Sequence, residues 1–328
     1  MTPPTSLPQV EVLTFGETMG SLRTTRPLRL GGAMSMSLGG AETNVAIGVA
    51  RLGHSVRWSG RVGDDEIGEF ALRTLRAENV RTDAVTVDAG RPTGMMLLES
   101  RFSGVSRAAY YRAGSAGSAL CAEDLTGALV AGCTILHLTG ITPALSGAAA
   151  DATLTAARRA RTAGGVVSFD VNYRSKLWSQ ERARAVLTPL AAEADVVIAS
   201  EDELSLISPP GVSEEGAVRY LAGLGVRDVV VTRGGDGASA WSFADDGDDQ
   251  DVQHRDAHRV SVVDTVGAGD AFAAGYLSAA LDGLPLGERL ERAVALGAFA
   301  VADSTDWEGL PTRKDLALMG HPAGSTLR

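Results

Sequence analysis

Residues 264 to 277 read DTVGAGDAFAAGYL. Gly267, Ala268 and Gly269 form a turn whose unpaired backbone N–H groups open a helix, and bare amides at the positive end of a helix dipole make an anion cradle. Asp270 sets a carboxylate at the lip of that cradle. The stretch therefore has to accommodate an anion and a negative side chain within one helical turn.

The preceding chain supplies strands that could end beside this turn. VVSFDVN (166–172), DVVIAS (195–200) and DVVVTRG (228–234) are short apolar runs that finish in polar or glycine-rich sequence. QVEVLTFGE (9–17), SVRWSG (55–60) and TILHLTG (134–140) are further strand candidates, while 41–53, 65–79, 147–163, 181–192 and 213–224 have helical apolar spacing. This alternation predicts an α/β fold with a mostly parallel sheet covered on both faces, and ligands beyond the carboxyl ends of its strands. Two segments break the alternation. Residues 18–38 and 91–112 read as strands or hairpins and are expected to form a small sheet covering the site. With no internal repeat and no linker, residues 1–328 read as one domain. The acidic stretch 242–258 is expected to be solvated surface at a hairpin tip.

Composition removes several function classes. Thirty Lys and Arg against forty Asp and Glu give a formal charge of −10, which opposes nonspecific binding to nucleic acid or anionic membranes. Lys176 and Lys314 are the only lysines and neither lies in a GxxxxGK[ST] run, so a Walker-type phosphate loop is excluded. Cys121 and Cys133 lack the spacing of a disulfide framework or zinc site. No stretch approaches a membrane span and the N-terminus lacks an export pattern, so a cytoplasmic protein is expected. No GxGxxG turn follows the first strand, which argues against a nicotinamide dehydrogenase.

The strand ends collect DVNYR (170–174), SEDE (200–203) and TRGGDGA (232–238) before the 264–277 stretch. Together they point to phosphoryl transfer. Glycine-rich turns would hold a nucleoside triphosphate, Glu203 would approach its Mg²⁺ through water, and Gly267 to Asp270 would surround the transferred group. In this chemistry a protein supplies alignment and electrostatic stabilisation. Asp270 would then face the acceptor hydroxyl and take its proton late, while the amides face the phosphoryl oxygens.

DTVGAGDAFAAGYL resembles the C-terminal signature of the ribokinase-like (PfkB) carbohydrate kinases, and GGAETNVAIGVARLG (39–53) with GRVGDDEIG (60–68) resembles their N-terminal one. The resemblance covers roughly residues 10 to 312. Within the family, YYRAGSAGSAL (110–120), HLTGITPALS (137–146) and DVNYRSKLW (170–178) are most similar to 2-keto-3-deoxygluconate kinases. It implies a three-layer α/β/α core, a β-sheet lid over the sugar, dependence on ATP and Mg²⁺, and dimers joined through the lids. Asp270 matches the catalytic base, and Gly267, Ala268 and Gly269 match the anion hole. Sugar contacts carry over to Gly40, Asn44, Met96, Tyr110, Arg112, Arg174, Asp270 and Asp306. Nucleotide contacts carry over to Asn172, Arg174, Ser200, Thr232, Gly234, Gly235, Gly237, Gly267 and Gly269, with Glu203 reaching the metal through water. A monovalent-cation requirement is left open. Two positions depart from the pattern: Met96 stands where relatives can present tyrosine, and Ser200 replaces the asparagine of an NxxE motif that keeps Glu203.

Residue chemistry independently favours an acidic sugar. Segment 91–112 carries Arg91, Arg101, Arg107 and Arg112 against the single acid Glu99, and guanidinium groups suit carboxylates because they donate two parallel hydrogen bonds. Arg112, flanked by tyrosines, and Arg174, at a strand end, are the strongest candidates. The expected reaction is ATP-dependent phosphorylation of the 6-hydroxyl of 2-dehydro-3-deoxy-D-gluconate. The alternatives are fructose, ribose, 2-keto-3-deoxygalactonate or a 5-keto-2-deoxy sugar acid as acceptor, or a noncatalytic sugar-binding regulator.

Overall fold

The computed structural model describes residues 7–102, 105–244 and 250–320. Its main sheet is built from β1 (Val10–Gly16), β4 (Val56–Gly63), β5 (Val80–Arg81), β6 (Val85–Asp88), β9 (Cys133–Thr139), β10 (Val166–Asp170), β11 (Val196–Ser200), β12 (Asp228–Thr232), β13 (Ala238–Phe243) and β14 (Gln250–Arg255). The order is β14-β13-β12-β11-β10-β9-β1-β4-β5, with β6 also beside β4. All pairings from β12 to the β4 edge are parallel; only β13 and β14 add antiparallel edges. Helices α1 (Ala41–Arg51), α2 (Glu66–Ala77), α3 (Ala122–Ala131), α4 (Thr142–Leu145), α5 (Gly147–Thr162), α6 (Gln180–Ala191), α7 (Glu201–Leu204), α8 (Glu214–Gly223), α9 (Ala268–Leu281) and α10 (Leu286–Val301) complete the α/β framework.

Successive strand residues point to opposite faces, and the central strands are apolar on both. Val12, Ile135, Ile198 and Val230 join a core containing residues of α1, α2, α9 and α10. Their immediate neighbours Leu13, Leu136, Val197 and Val229 join a second core with α3, α5, α6 and α8. Two packed helical layers follow directly from those continuous apolar runs. Helix starts are marked by short polar side chains: Asp65, Ser146, Ser179 and Ser213 accept from backbone amides at the starts of α2, α5, α6 and α8.

The two segments that break the alternation contain a separate four-stranded sheet: β3 (Ser35–Gly39), β2 (Met19–Thr24), β7 (Gly94–Phe102) and β8 (Val105–Tyr111), in that order. β2 follows two residues after the carboxyl end of β1, and β3 leads straight into α1. Those joins bring the small sheet to the carboxyl edge of the main one. Register puts Ser21, Met96 and Tyr110 in one row, and Arg23, Leu98 and Ala108 two residues further along the same face. Met96 and Leu98 are buried there with Met19, against Val266. The intervening positions Met36 and Tyr111 are exposed. Residues 245–249 of the acidic stretch lie outside the described residues, and Gln250 to Arg255 form the edge strand β14.

Candidate active site

β10, β11 and β12 end at Asp170, Ser200 and Thr232, on the edge where α9 begins. Asp270, in the first turn of α9, is buried and both its oxygens are engaged: Asn44 Nδ2 donates to Oδ2 at 2.7 Å, and Asn172 Nδ2 approaches Oδ1 at 3.4 Å. Burial raises its pKa above the ordinary carboxylate value, opposed by the Asn44 hydrogen bond, the Arg174 charge and Asn172. The Oδ1 atoms of Asn44 and Asn172 are buried without a hydrogen-bond partner among the described residues. Two acceptors thus remain beside the carboxylate for a ligand hydroxyl or ammonium.

Gly267 caps α9 with φ 79°, and a Cβ there would run into the backbone carbonyl of Asp306. Only glycine fits that left-handed, crowded position without strain. Gly269, two residues on, would place a Cβ in open space. The amides of Gly269 and Asp270 precede the first intrahelical donor, Ala271, and point out of the helix start, whereas the Ala268 amide, expected to be unpaired, closes the turn by donating to the Thr265 carbonyl at 3.4 Å. Ala268 and Gly269 also line a cavity of about 550 Å³ together with Thr232, Gly234, Gly235 and Gly237. The two glycine-rich turns, 35 residues apart in sequence, therefore bound one space. Its walls add Val260, Val262, Phe272, Val294 and Val301, an apolar lining suited to a flat base. These wall residues were not expected from the sequence; the period of the 286–301 segment, a helix packed on α9, was the signal available.

Ser200 and Glu203 form a reciprocal capping box at α7. Ser200 Oγ accepts from the Glu203 amide at 3.4 Å, and Glu203 Oε2 accepts from the Ser200 amide at 2.9 Å. Glu203 Oε1 accepts from the Tyr173 amide at 2.7 Å, which pins the turn after β10. That turn carries Asn172 at φ 39°. Among the described residues no group of three or more His, Cys, Asp or Glu side chains is arranged to hold a metal ion. Glu203 accepts one backbone amide on each oxygen and keeps further lone pairs, which fits water-mediated contact with a hydrated Mg²⁺ carried by phosphates, an ion that retains several waters and needs few protein ligands.

Asp170 was overlooked in the sequence, although DVNYR was noted. Its carboxylate accepts from the Asn172 amide at 3.2 Å and from Asn172 Nδ2 at 3.1 Å, so one side-chain amide links Asp170 to Asp270. Burial, with Glu203 and Asp270 nearby, pushes its pKa well above the carboxylate range. Glu42 is likewise buried with a raised pKa, held by the hydroxyls of Thr139 and Thr142 at 2.6 Å each.

Gly40 opens α1 at φ 154°, and Gly39 packs against Met96 and Asp306 Oδ2. Asp306 is buried, and burial pushes its pKa up to about 6 despite the Arg23 charge. Arg112 is paired with Glu17 at 2.5 Å and stands 5.8 Å from the Tyr110 ring centroid. Glu17 is buried and also accepts from Ser115. Neither Glu17 nor Arg23 stood out in the sequence, because both partnerships join segments far apart in the chain. Arg174 is exposed, with Nη1 3.4 Å from the Tyr173 carbonyl. Of the other lid-segment arginines, Arg91 pairs with Asp88 on the surface, Arg107 faces Glu99 in register, and the Arg101 side chain lies outside the described residues.

The site thus gathers Asp270, Asn44, Asn172, Gly40, Met96 and Asp306 at one end, and Thr232, Gly234, Gly235, Gly237, Ala268 and Gly269 at the other. The description "pfkB family carbohydrate kinase" matches residues 10–313, and the chain belongs to that family. A 2-dehydro-3-deoxygluconokinase of Bacillus subtilis is 35% identical over 94% of this chain and 95% of its own length. One of Thermoproteus tenax is 34% identical over 93% of each. A putative ribokinase II of E. coli, solved in complex with ATP and Mg²⁺, superposes with a TM-score of 0.86 at 27% identity, covering 94% of this chain and 98% of that one. No described helix is long and apolar enough to cross a membrane.

Proposed function

We propose that the chain phosphorylates the 6-hydroxyl of 2-dehydro-3-deoxy-D-gluconate with ATP as donor. The observation that carries this reading is the buried Asp270 carboxylate on the same helical turn that closes the glycine-lined cavity. ATP with Mg²⁺ supplies the transferable phosphoryl group and neutralises charge as it moves. Thr232, Gly234, Gly235 and Gly237 would hold the nucleotide, with Asn172, Arg174 and Ser200 bordering its phosphate end and Glu203 meeting the hydrated metal. Within the Gly267–Gly269 loop the amides of Gly267 and Gly269, joined by that of Asp270, would stabilise negative charge on the phosphoryl oxygens, with Ala268 shaping the turn through its bond to Thr265. Asp270 orients the acceptor hydroxyl and takes its proton as the bond to phosphorus forms. Asn44 and Asn172 hold that carboxylate in place without neutralising it.

At the acceptor end, Gly40, Met96, Tyr110, Arg112 and Asp306 would enclose the sugar, with Arg112 and Arg174 reading its carboxylate. The small sheet acts as a lid that excludes competing water. Exposed Met36 and Tyr111 on its outer face support a second copy of the chain docking there; a monomeric mass by light scattering at assay concentrations would remove that part. A coupled ADP-release assay across 2-dehydro-3-deoxygluconate, its galactonate epimer, 5-keto-2-deoxygluconate, gluconate, fructose, ribose and nucleosides tests the reading. Preferred turnover of the first is expected, and turnover confined to neutral sugars would sink it.

A further inference from the structure

Arg23 sits on β2, on the face shared with Met96 and Tyr110. Its Nη1 donates to Asp264 Oδ2 at 2.7 Å and its Nη2 donates to Asp306 Oδ1. The two carboxylates come from different segments. Asp264 opens the turn before α9 and accepts the amides of Thr265 and Val266 through Oδ1, at 2.7 and 3.2 Å. Asp306 follows α10; its carbonyl abuts Gly267, and its Oδ2 lies beside Gly39. The chain after Asp306 is held from the other side by Arg51, which donates to the carbonyls of Trp307, Glu308 and Leu310 at 3.2, 2.9 and 2.7 Å. Ser37 of β3 donates to Glu308.

Resting on the sugar-kinase reading above, we propose that Arg23 is a positioning residue for the acceptor. The small sheet carries its guanidinium against the core, where it joins Asp264 to Asp306, fixes one Asp306 oxygen and leaves the other turned toward the Gly39–Gly40 turn. The same bond ties the Gly267 turn to the position of the sheet. A guanidinium can serve two carboxylates in one plane, whereas an ammonium acts as a single point charge. Asp306 is faced by Arg23 from β2, by Asp270 from α9 and by Glu308 on its own segment, with Asp264 across the guanidinium. Arg23 lowers the Asp306 pKa while Asp270 and Glu308 raise it, so loss of Arg23 moves it further up.

Steady-state kinetics of the full chain, Arg23→Gln and Arg23→Lys, with ATP and whichever acceptor the wild type turns over fastest, test this. Arg23→Gln is expected to raise the acceptor KM about tenfold, to leave the ATP KM within about twofold, and to move the acidic limb of kcat/KM up by about half a pH unit. Arg23→Lys is expected to restore the acidic limb while the acceptor KM stays about threefold above wild type. An unchanged acceptor KM and limb in Arg23→Gln, or equal rises in both KM values, would overturn the proposal. If Arg23→Gln does not fold, a wild-type acceptor KM in Arg23→Lys overturns it alone. The wild-type acceptor panel reports failure of the sugar-acid reading before any variant is made, so the two failures separate.

Discussion

On the α9 side of the site, carboxylates are held by neutral amides: Asp270 by Asn44 and Asn172, and Glu203 by the backbone of Ser200 and Tyr173. On the small-sheet side, guanidinium groups are held by carboxylates: Arg112 by Glu17, and Arg23 by Asp264 and Asp306. Amide donors orient a base and leave its charge intact for proton transfer. Carboxylate partners orient a cation and offset the cost of burying it, while its remaining N–H groups stay available to an acidic ligand. On the proposed mechanism, chemistry and recognition are separated across the cleft, and substitutions on the two sides should affect different kinetic constants.

The largest effect is expected on the α9 side. Asp270→Asn should lower kcat by about 10³-fold, with ATP affinity by calorimetry changed less than about threefold. A near-wild-type kcat would remove Asp270 as base and dissolve the contrast. Gly267→Ala forces a Cβ into the Asp306 carbonyl at positive φ. It should lower kcat about 100-fold and stability by about 1–3 kcal/mol in denaturant titration; wild-type turnover would show that the turn tolerates displacement. Across the cleft, Glu17→Gln should raise the KM for the sugar acid by roughly fivefold and leave kcat within about twofold, because Arg112 loses its orienting partner. A fall in kcat at constant KM would place Glu17 with the chemistry instead.

The smallest effect concerns stability. The folded pKa of Asp170 lies above its unfolded value, so the native state favours the protonated form and stability declines as pH rises from the unfolded value through the folded one. Asp170→Asn removes that decline. Its melting temperature relative to wild type should therefore rise steadily with pH between pH 5 and 9. A constant difference across that range would mean that Asp170 is ionised throughout.

Much of the α9 side was legible in the sequence because its determinants are local. Glycines must lie next to Asp270 to build the turn, and each apolar strand carries its own polar ending. Val166–Asp170, Val196–Ser200 and Asp228–Thr232 fall inside the ranges expected from composition alone. The small-sheet side was only half legible. The arginines of 91–112 were visible as a group, but nothing near Arg112 in sequence names Glu17, 95 residues earlier, as its partner. Arg23 and Asp306 are likewise far apart in the chain and meet only through tertiary packing. Asp170 was hidden for a different reason: a single aspartate at a strand end is ordinary until Asn172 is seen joining it to Asp270.

The division of labour is tested most directly by the ratio of kcat/KM for 2-dehydro-3-deoxy-D-gluconate to that for fructose, measured in the intact chain and in Arg112→Met. The intact chain should favour the acid by about 100-fold, and the variant should lose at least about tenfold of that preference through the acid's KM alone, as expected for one charge-assisted pair. An unchanged ratio would contradict carboxylate reading by the small-sheet side.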